Sequence, residues 1–192
     1  MKILLVAATQ QEVIEDKFKD FTVLITGVGM VNTSIQLTKE LMQNKYDLVI
    51  NMGVAGSFSD AIRTGNVVEV VEDSFSELGF ENGVEFEQFS DFELATKYSV
   101  EGKTDLQKVK GITVNTVHGN EGCISEIVNR LNPAVENMEG AAIFKVCKEF
   151  SIPCMQIRAI SNKVEKRNKA NWNMPLAIQN LNIAVAQIIA EL

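Results

Sequence analysis

Two glutamates, one asparagine and two glycine segments carry the side chains and spacings that could do chemistry. Glu12 follows the apolar run Lys2 to Ala7, and Glu139 stands in Glu136-Asn137-Met138-Glu139-Gly140-Ala141-Ala142, where a strand runs into a helix. Both stand at strand ends, where open α/β sheets place ligands. The plainer reading is that both are acids of a first helical turn, where the helix dipole favours them. Asn162 closes Arg158-Ala159-Ile160-Ser161-Asn162. Its carboxamide can donate and accept hydrogen bonds but has no proton to give up. Gly53-Val54-Ala55-Gly56-Ser57 offers two readings: a tight turn whose glycines take positive φ, or backbone amides of Val54, Ala55 and Gly56 facing a ligand.

Other features carry less. Gly27-Val28-Gly29 starts like a dinucleotide fingerprint, but Asn32 replaces the third glycine and no acidic partner follows at the usual distance. No nicotinamide or flavin cofactor is expected. His118, the one histidine, reads as a loop residue, since no Ser or Cys elbow accompanies it. Cys123, Cys147 and Cys154 are odd in number and lack CxxC spacing, so neither a zinc site nor a disulfide framework is expected.

These residues need elements to hold them. Lys2 to Ala7, Phe21 to Thr26, Asp47 to Met52, Asn66 to Val71, Gly111 to Val117 and Pro153 to Ile160 have the β-branched, apolar character of strands. Between them, apolar residues recur at helical spacing from Val31 to Met42, from Cys123 to Leu131 and from Ala141 to Phe150. A longer stripe runs from Met174 to Ile189, with Asn173 and Pro175 as start signals. The alternation predicts an α/β fold, a sheet covered by helices on both faces, in which ligands sit at strand ends. Ser74 to Gly102 breaks the pattern: Phe75, Phe80, Phe86, Phe89 and Phe92 lie among acids and glycines, as an excursion over a site or a subunit interface would.

The chain has 192 residues, 46% apolar and 22% charged, which suits one globular domain over residues 1–192 with a real core. Lys and Arg number 18 against 25 Asp and Glu, a net charge of −7. That sign repels a phosphate backbone or an anionic bilayer, so neither nucleic acid nor a membrane is an expected partner. The opening apolar run stops at Thr9-Gln10-Gln11-Glu12 without a cleavage-type site, and no run reaches the roughly 20 residues of a membrane span. A cytoplasmic location is expected.

Taken together, Glu12, Gly27-Val28-Gly29, Asn51-Met52-Gly53-Val54-Ala55-Gly56-Ser57, Asn137-Met138-Glu139-Gly140-Ala141-Ala142 and Arg158-Ala159-Ile160-Ser161-Asn162 resemble the nucleoside phosphorylase and nucleosidase superfamily over nearly the whole chain. Val114-Asn115-Thr116-Val117 and the stretch from Ser161 to Asn168 with Trp172 are most similar to its futalosine hydrolase family, which serves menaquinone biosynthesis. The resemblance implies a central mixed, twisted sheet flanked by helices, no cofactor or metal, a small-molecule nucleoside as partner, and a homodimer or higher homo-oligomer. It assigns Glu12 to water activation, Glu139 to the ribose hydroxyls and Met138 to packing on the sugar. Asn51 and Val54 stand where phosphorylases of the superfamily carry an Arg and a Ser for phosphate, which favours water as the attacking group. Asn162 replaces the Asp of adenine-cleaving relatives, and its donor and acceptor suit a 6-oxopurine such as hypoxanthine. A benzoate-bearing substrate calls for a cation, for which Arg167, Lys163 and Lys166 are candidates if they are not simply a solvated basic cluster. The stretch Gly119-Asn120-Glu121-Gly122 offers no aromatic residue to stack on a base.

Overall fold

Side-chain alternation in the first strand decides the layering. In β1 (Ile3–Ala7), Ile3, Leu5 and Ala7 pack with Ala177, Leu181, Val185 and Ile188 of α4 (Met174–Glu191). Leu4 and Val6 point the other way, onto Leu37 and Leu41 of α1 (Met30–Gln43) and Ile143, Phe144 and Cys147 of α3 (Gly140–Glu149). A strand buried on both faces has period-two alternation with apolar residues at every position, and each large side chain buried contributes about 2 kcal/mol. The computed structural model describes residues 1–83, 85–89 and 94–192. Among them, no helix is long and apolar enough to cross a membrane.

The fold is a single-domain α/β arrangement around a mixed sheet. β2 (Thr22–Ile25), β1 and β3 (Leu48–Ser57) run parallel, and β10 (Cys154–Lys163) lies parallel to β3 on its other side. β4 (Val67–Phe75) pairs antiparallel with β10 and parallel with β8 (Gln107–Thr113). β9 (Val135–Asn137) then joins β8 in parallel and meets the far end of β3 antiparallel. The strands β3, β10, β4, β8 and β9 therefore close into a small circuit, filled by Ala55, Val68, Val70, Val109, Val135 and Ile160. Sequence alternation signals a sheet and carries no sign of this closure.

Three local expectations need correction. Gly53 to Gly56 form no turn: β3 runs through them to Ser57, and the positive-φ glycines lie elsewhere. Their value is space, because a Cβ on Gly53 would stand 2.7 Å from Arg158 Nη1, and one on Gly56 2.8 Å from Val164 Cγ2. The strand expected over Gly111 to Val117 is β8, which begins earlier and ends at Thr113, leaving Val117 and His118 in the loop before α2 (Glu121–Leu131). The segment Ser74 to Gly102 holds a hairpin, β5 (Gly79–Asn82) with β6 (Glu85–Gln88), and a short β7 (Lys97–Ser99) paired to β4. Phe75 packs edge-on to Tyr98, Phe80 meets Phe89, and Phe86 lies under Arg130, while Phe92 lies outside the described residues.

Candidate active site

A cavity of about 280 Å³ opens where β1, β3, β9 and β10 end, and it gathers residues from both ends of the chain. Glu12, Val54, Ala55, Gly56, Met138, Glu139, Asn162 and Arg167 all line it, together with Val117, His118, Glu136 and Trp172. Phe75, Phe80, Phe86 and Phe89 do not, so this part of the phenylalanine segment forms no cover over the cavity.

Glu12 belongs to a single 3-10 turn (Gln10–Glu12) after β1 and is buried. Its two oxygens divide the work. Oε2 accepts from Thr9 N at 2.9 Å, as an acid at a helix start does, while Oε1 accepts from Val54 N at 3.1 Å and lies 3.0 Å from the point a Gly53 Cβ would occupy. Glu139 stands just before α3, and its Oε1 accepts from Gly29 N at 3.0 Å. Gly27 and Gly29 take φ of 85° and 93°, a left-handed backbone open to glycine, which turns the Gly29 N–H onto the carboxylate. Burial pushes the Glu139 carboxyl above its ordinary range, with the Gly29 N–H and the Arg158 charge opposing.

Beneath these carboxylates lies a polar network that sequence reasoning missed. Arg158, fully buried in β10, donates from Nη2 to Asn51 Oδ1 at 2.5 Å and to Asn137 Oδ1 at 3.3 Å. Asn137 Oδ1 also accepts from Glu139 N at 2.9 Å and Gly140 N at 2.6 Å, fixing the entry to α3. Asn137 Nδ2 donates in turn to Asp73 Oδ2 at 2.8 Å, and the same carboxyl accepts from Gln156 Nε2 at 2.9 Å and Thr113 Oγ1 at 2.8 Å. Burial pulls the Arg158 guanidinium down, against the charges of Glu139, Glu12 and Asp73, and pushes Asp73 up. A charged residue in an apolar strand such as Met155-Gln156-Ile157-Arg158-Ala159-Ile160 was the available signal, because a charge is buried only with partners.

The far end of the cavity is built differently. A β-bulge at Ser161 brings Asn162 opposite Gly56, whose other neighbour is Glu136 on β9. Ser161 Oγ donates to Asn162 Oδ1 at 2.7 Å, and Asn162 Nδ2 reaches the Lys163 carbonyl at 2.9 Å. The carboxamide is thereby oriented and keeps an N–H and an acceptor lone pair for a ligand. Arg167 lies exposed over the Trp172 ring, 5.1 Å from its centre. Lys163 lines the cavity but its ammonium is bonded to Asp60, and Lys166 does not line it. Gly53 and Gly56 are three residues apart on an extended strand, so the two ends are separated by roughly 10 Å. An elongated polar molecule fits such a site, one part among the buried carboxylates and another against the carboxamide. Among the described residues, no group of three or more His, Cys, Asp or Glu gathers where a metal could be held.

Comparison with known proteins agrees with this layout. A futalosine hydrolase of Thermus thermophilus is 28% identical over 184 residues, covering 89% of this chain and 82% of the relative. A 5'-methylthioadenosine/S-adenosylhomocysteine nucleosidase of Psychromonas ingrahamii is 27% identical over 183 residues, covering 87% and 79%. The structure of a futalosine hydrolase mutant of Helicobacter pylori superposes with a TM-score of 0.88 at 16% identity over the whole of both chains, a likeness of fold. The profile of one family runs from residue 9 to residue 190, through every segment that lines the cavity, and by that match the chain belongs to the phosphorylase superfamily.

Proposed function

We propose that this chain is an N-ribosyl hydrolase that releases hypoxanthine from futalosine, a step of menaquinone biosynthesis. The observation that carries the reading is the placement of Glu12 and Glu139 around one end of the cavity and of Asn162 at the other. Cleaving a purine N-glycosidic bond passes through a ribosyl cation, so a nucleophile and negative charge belong at the sugar and hydrogen bonding belongs at the base. Glu12 Oε1 holds and deprotonates the water, Glu139 accepts from the ribose hydroxyls, and Met138 packs on the sugar. The backbone of Val54, Ala55 and Gly56 forms the floor between them.

Water is favoured over phosphate because the cation at the sugar end, Arg158, already stands among carboxylates. Arg158 gives Nη2 to Asn51 and Asn137, and a phosphate beside it would face the carboxylates of Glu12 and Glu139. A neutral Asn162 favours a 6-oxopurine, since its carboxamide can donate to the oxo oxygen and accept from a ring N–H. Arg167 is the cation for the substrate carboxylate: it lines the cavity, whereas the Lys163 ammonium is taken by Asp60. The homo-oligomer belongs to the same proposal. Val31, Ile35 and Met42 expose apolar surface along α1, and sedimentation of the purified chain at a monomer mass would remove it.

A second reading, an adenine-releasing nucleosidase, keeps weight from the near-equal identity of the methylthioadenosine-cleaving relative. Base release from futalosine, inosine and methylthioadenosine, each with and without phosphate, separates the readings. Hypoxanthine from futalosine regardless of phosphate is expected. Adenine release would move the function to the second reading, phosphate dependence would make the chain a phosphorylase, and no release from any of the three would leave a nucleoside-binding protein.

A further inference from the structure

An imidazole, His118, lines the same cavity as Asn162 without a part in the mechanism above. Glu136, Gly56 and Asn162 lie side by side on β9, β3 and β10, and a Cβ on Gly56 would stand 3.4 Å from Asn162 Nδ2 and 3.5 Å from Glu136 Cγ. The Glu136 carboxylate holds His118 twice. It accepts from the His118 backbone N–H, at 3.1 Å to Oε1, and Oε2 lies 2.6 Å from Nδ1. An ionised carboxyl group only accepts, so the Nδ1 proton points at Glu136 and the second ring nitrogen, Nε2, is left free. Nε2 has no hydrogen-bond partner among the described residues. Phe58 meets the ring edge-on at 6.1 Å, and Glu136 is 4% exposed, so the pair is held by the fold before any ligand arrives.

We propose that His118 is the acid that protonates the departing purine and that Glu136 is the residue that positions it. This rests on the hydrolase reading. Asn162 has no proton to give, and an imidazole whose far nitrogen is clamped by a carboxylate is built to carry and release one. In the step, Glu12 takes one proton from water, whose oxygen bonds to C1′. The C1′–N9 electron pair passes into the purine, and the Nε2 proton of the His118 imidazolium goes to purine N7. The products are the hydroxylated sugar and the neutral base; Glu12 and His118 return to their starting forms by exchanging one proton each with solvent. Asn162 binds the base edge and selects it, and His118 lowers the barrier to its departure.

The test compares futalosine with futalosine methylated at N7, whose base is already cationic and needs no proton. In His118→Gln, kcat on futalosine should fall about 100- to 1000-fold, the usual weight of a general acid, while the N7-methylated substrate loses less than about tenfold. Glu136→Gln should show the same split at smaller amplitude, which a merely structural role would not produce. If His118→Gln is poorly folded, His118→Ala assayed with added imidazole replaces it, and recovery on futalosine alone is expected. Equal losses on both substrates, or a wild-type rate in His118→Gln, would overturn the proposal and leave the hydrolase reading standing. A wild-type chain that hydrolyses neither substrate would overturn both.

Discussion

The two glycines of β3 mark two ends of one cavity that are built on opposite plans. Around Gly53 the groups are buried and tied to one another: Arg158 to Asn51 and Asn137, Asn137 to Asp73, Glu12 to Thr9 and Val54, Glu139 to Gly29. Around Gly56 they keep bonding capacity in hand, as Asn162, His118 and the exposed Arg167 do. Preorganised charge in a dry pocket is what lowers a barrier, because nothing has to reorient when the transition state forms. Spare donors and acceptors nearer solvent are what choose between substrates, because a ligand that fails to satisfy them leaves them unpaired. Attack at the sugar should therefore respond to the Gly53 end, and the choice and departure of the base to the Gly56 end.

The sharpest way to break that division is Glu12→Gln. It should lower kcat on futalosine by about 1000-fold while calorimetry finds inhibitor affinity nearly unchanged, and a near wild-type rate would remove Glu12 from the chemistry. Next come the glycines as a pair. Gly53→Ala places a methyl 2.7 Å from a guanidinium held by the core, so kcat should fall about 100-fold. Gly56→Ala meets Val164, Asn162 and Glu136, and should change base preference together with kcat; a kcat loss with base preference unchanged would erase the contrast. Asn162→Asp should move preference toward aminopurine nucleosides by about tenfold or more, and unchanged ratios of kcat/KM would put base recognition elsewhere. The smallest effect concerns pH. The buried Glu139 carboxyl lies above its ordinary range, so its ionised form is lost as pH falls through that raised value, and the acid limb of kcat/KM should sit above the usual glutamate range. Removing the Arg158 charge, which opposes that rise, would move the limb higher still.

Glu12 shows why sequence reading worked as far as it did. Its position has room for both readings, one oxygen serving the helix start and the other bordering the cavity. His118 shows where it stopped, since a lone loop histidine is uninformative until a carboxylate 18 residues away is found at 2.6 Å. Arg158 was legible as an oddity in a buried strand, but its partners Asn51, Asn137 and the nearby Asp73 come from three other strands. The glycines of β3 left a turn and a backbone facing a ligand both open, because glycine signals positive φ and close approach alike, and the sequence does not say which.

By itself the sequence determined the alternation of strands and helices, the apolar faces that stack α1 and α3 on one side of β1 and α4 on the other, and the residue types at the strand ends. Those follow from local periodicity and side-chain chemistry, which neighbours in the chain suffice to specify. Only the tertiary structure decided the closure of β3, β10, β4, β8 and β9, the bulge at Ser161 that sets Asn162 against Gly56, and the pairing of His118 with Glu136. Such features are relations between distant segments, fixed by hydrogen-bond register and by the need to pair every buried charge, and a linear pattern does not encode them locally.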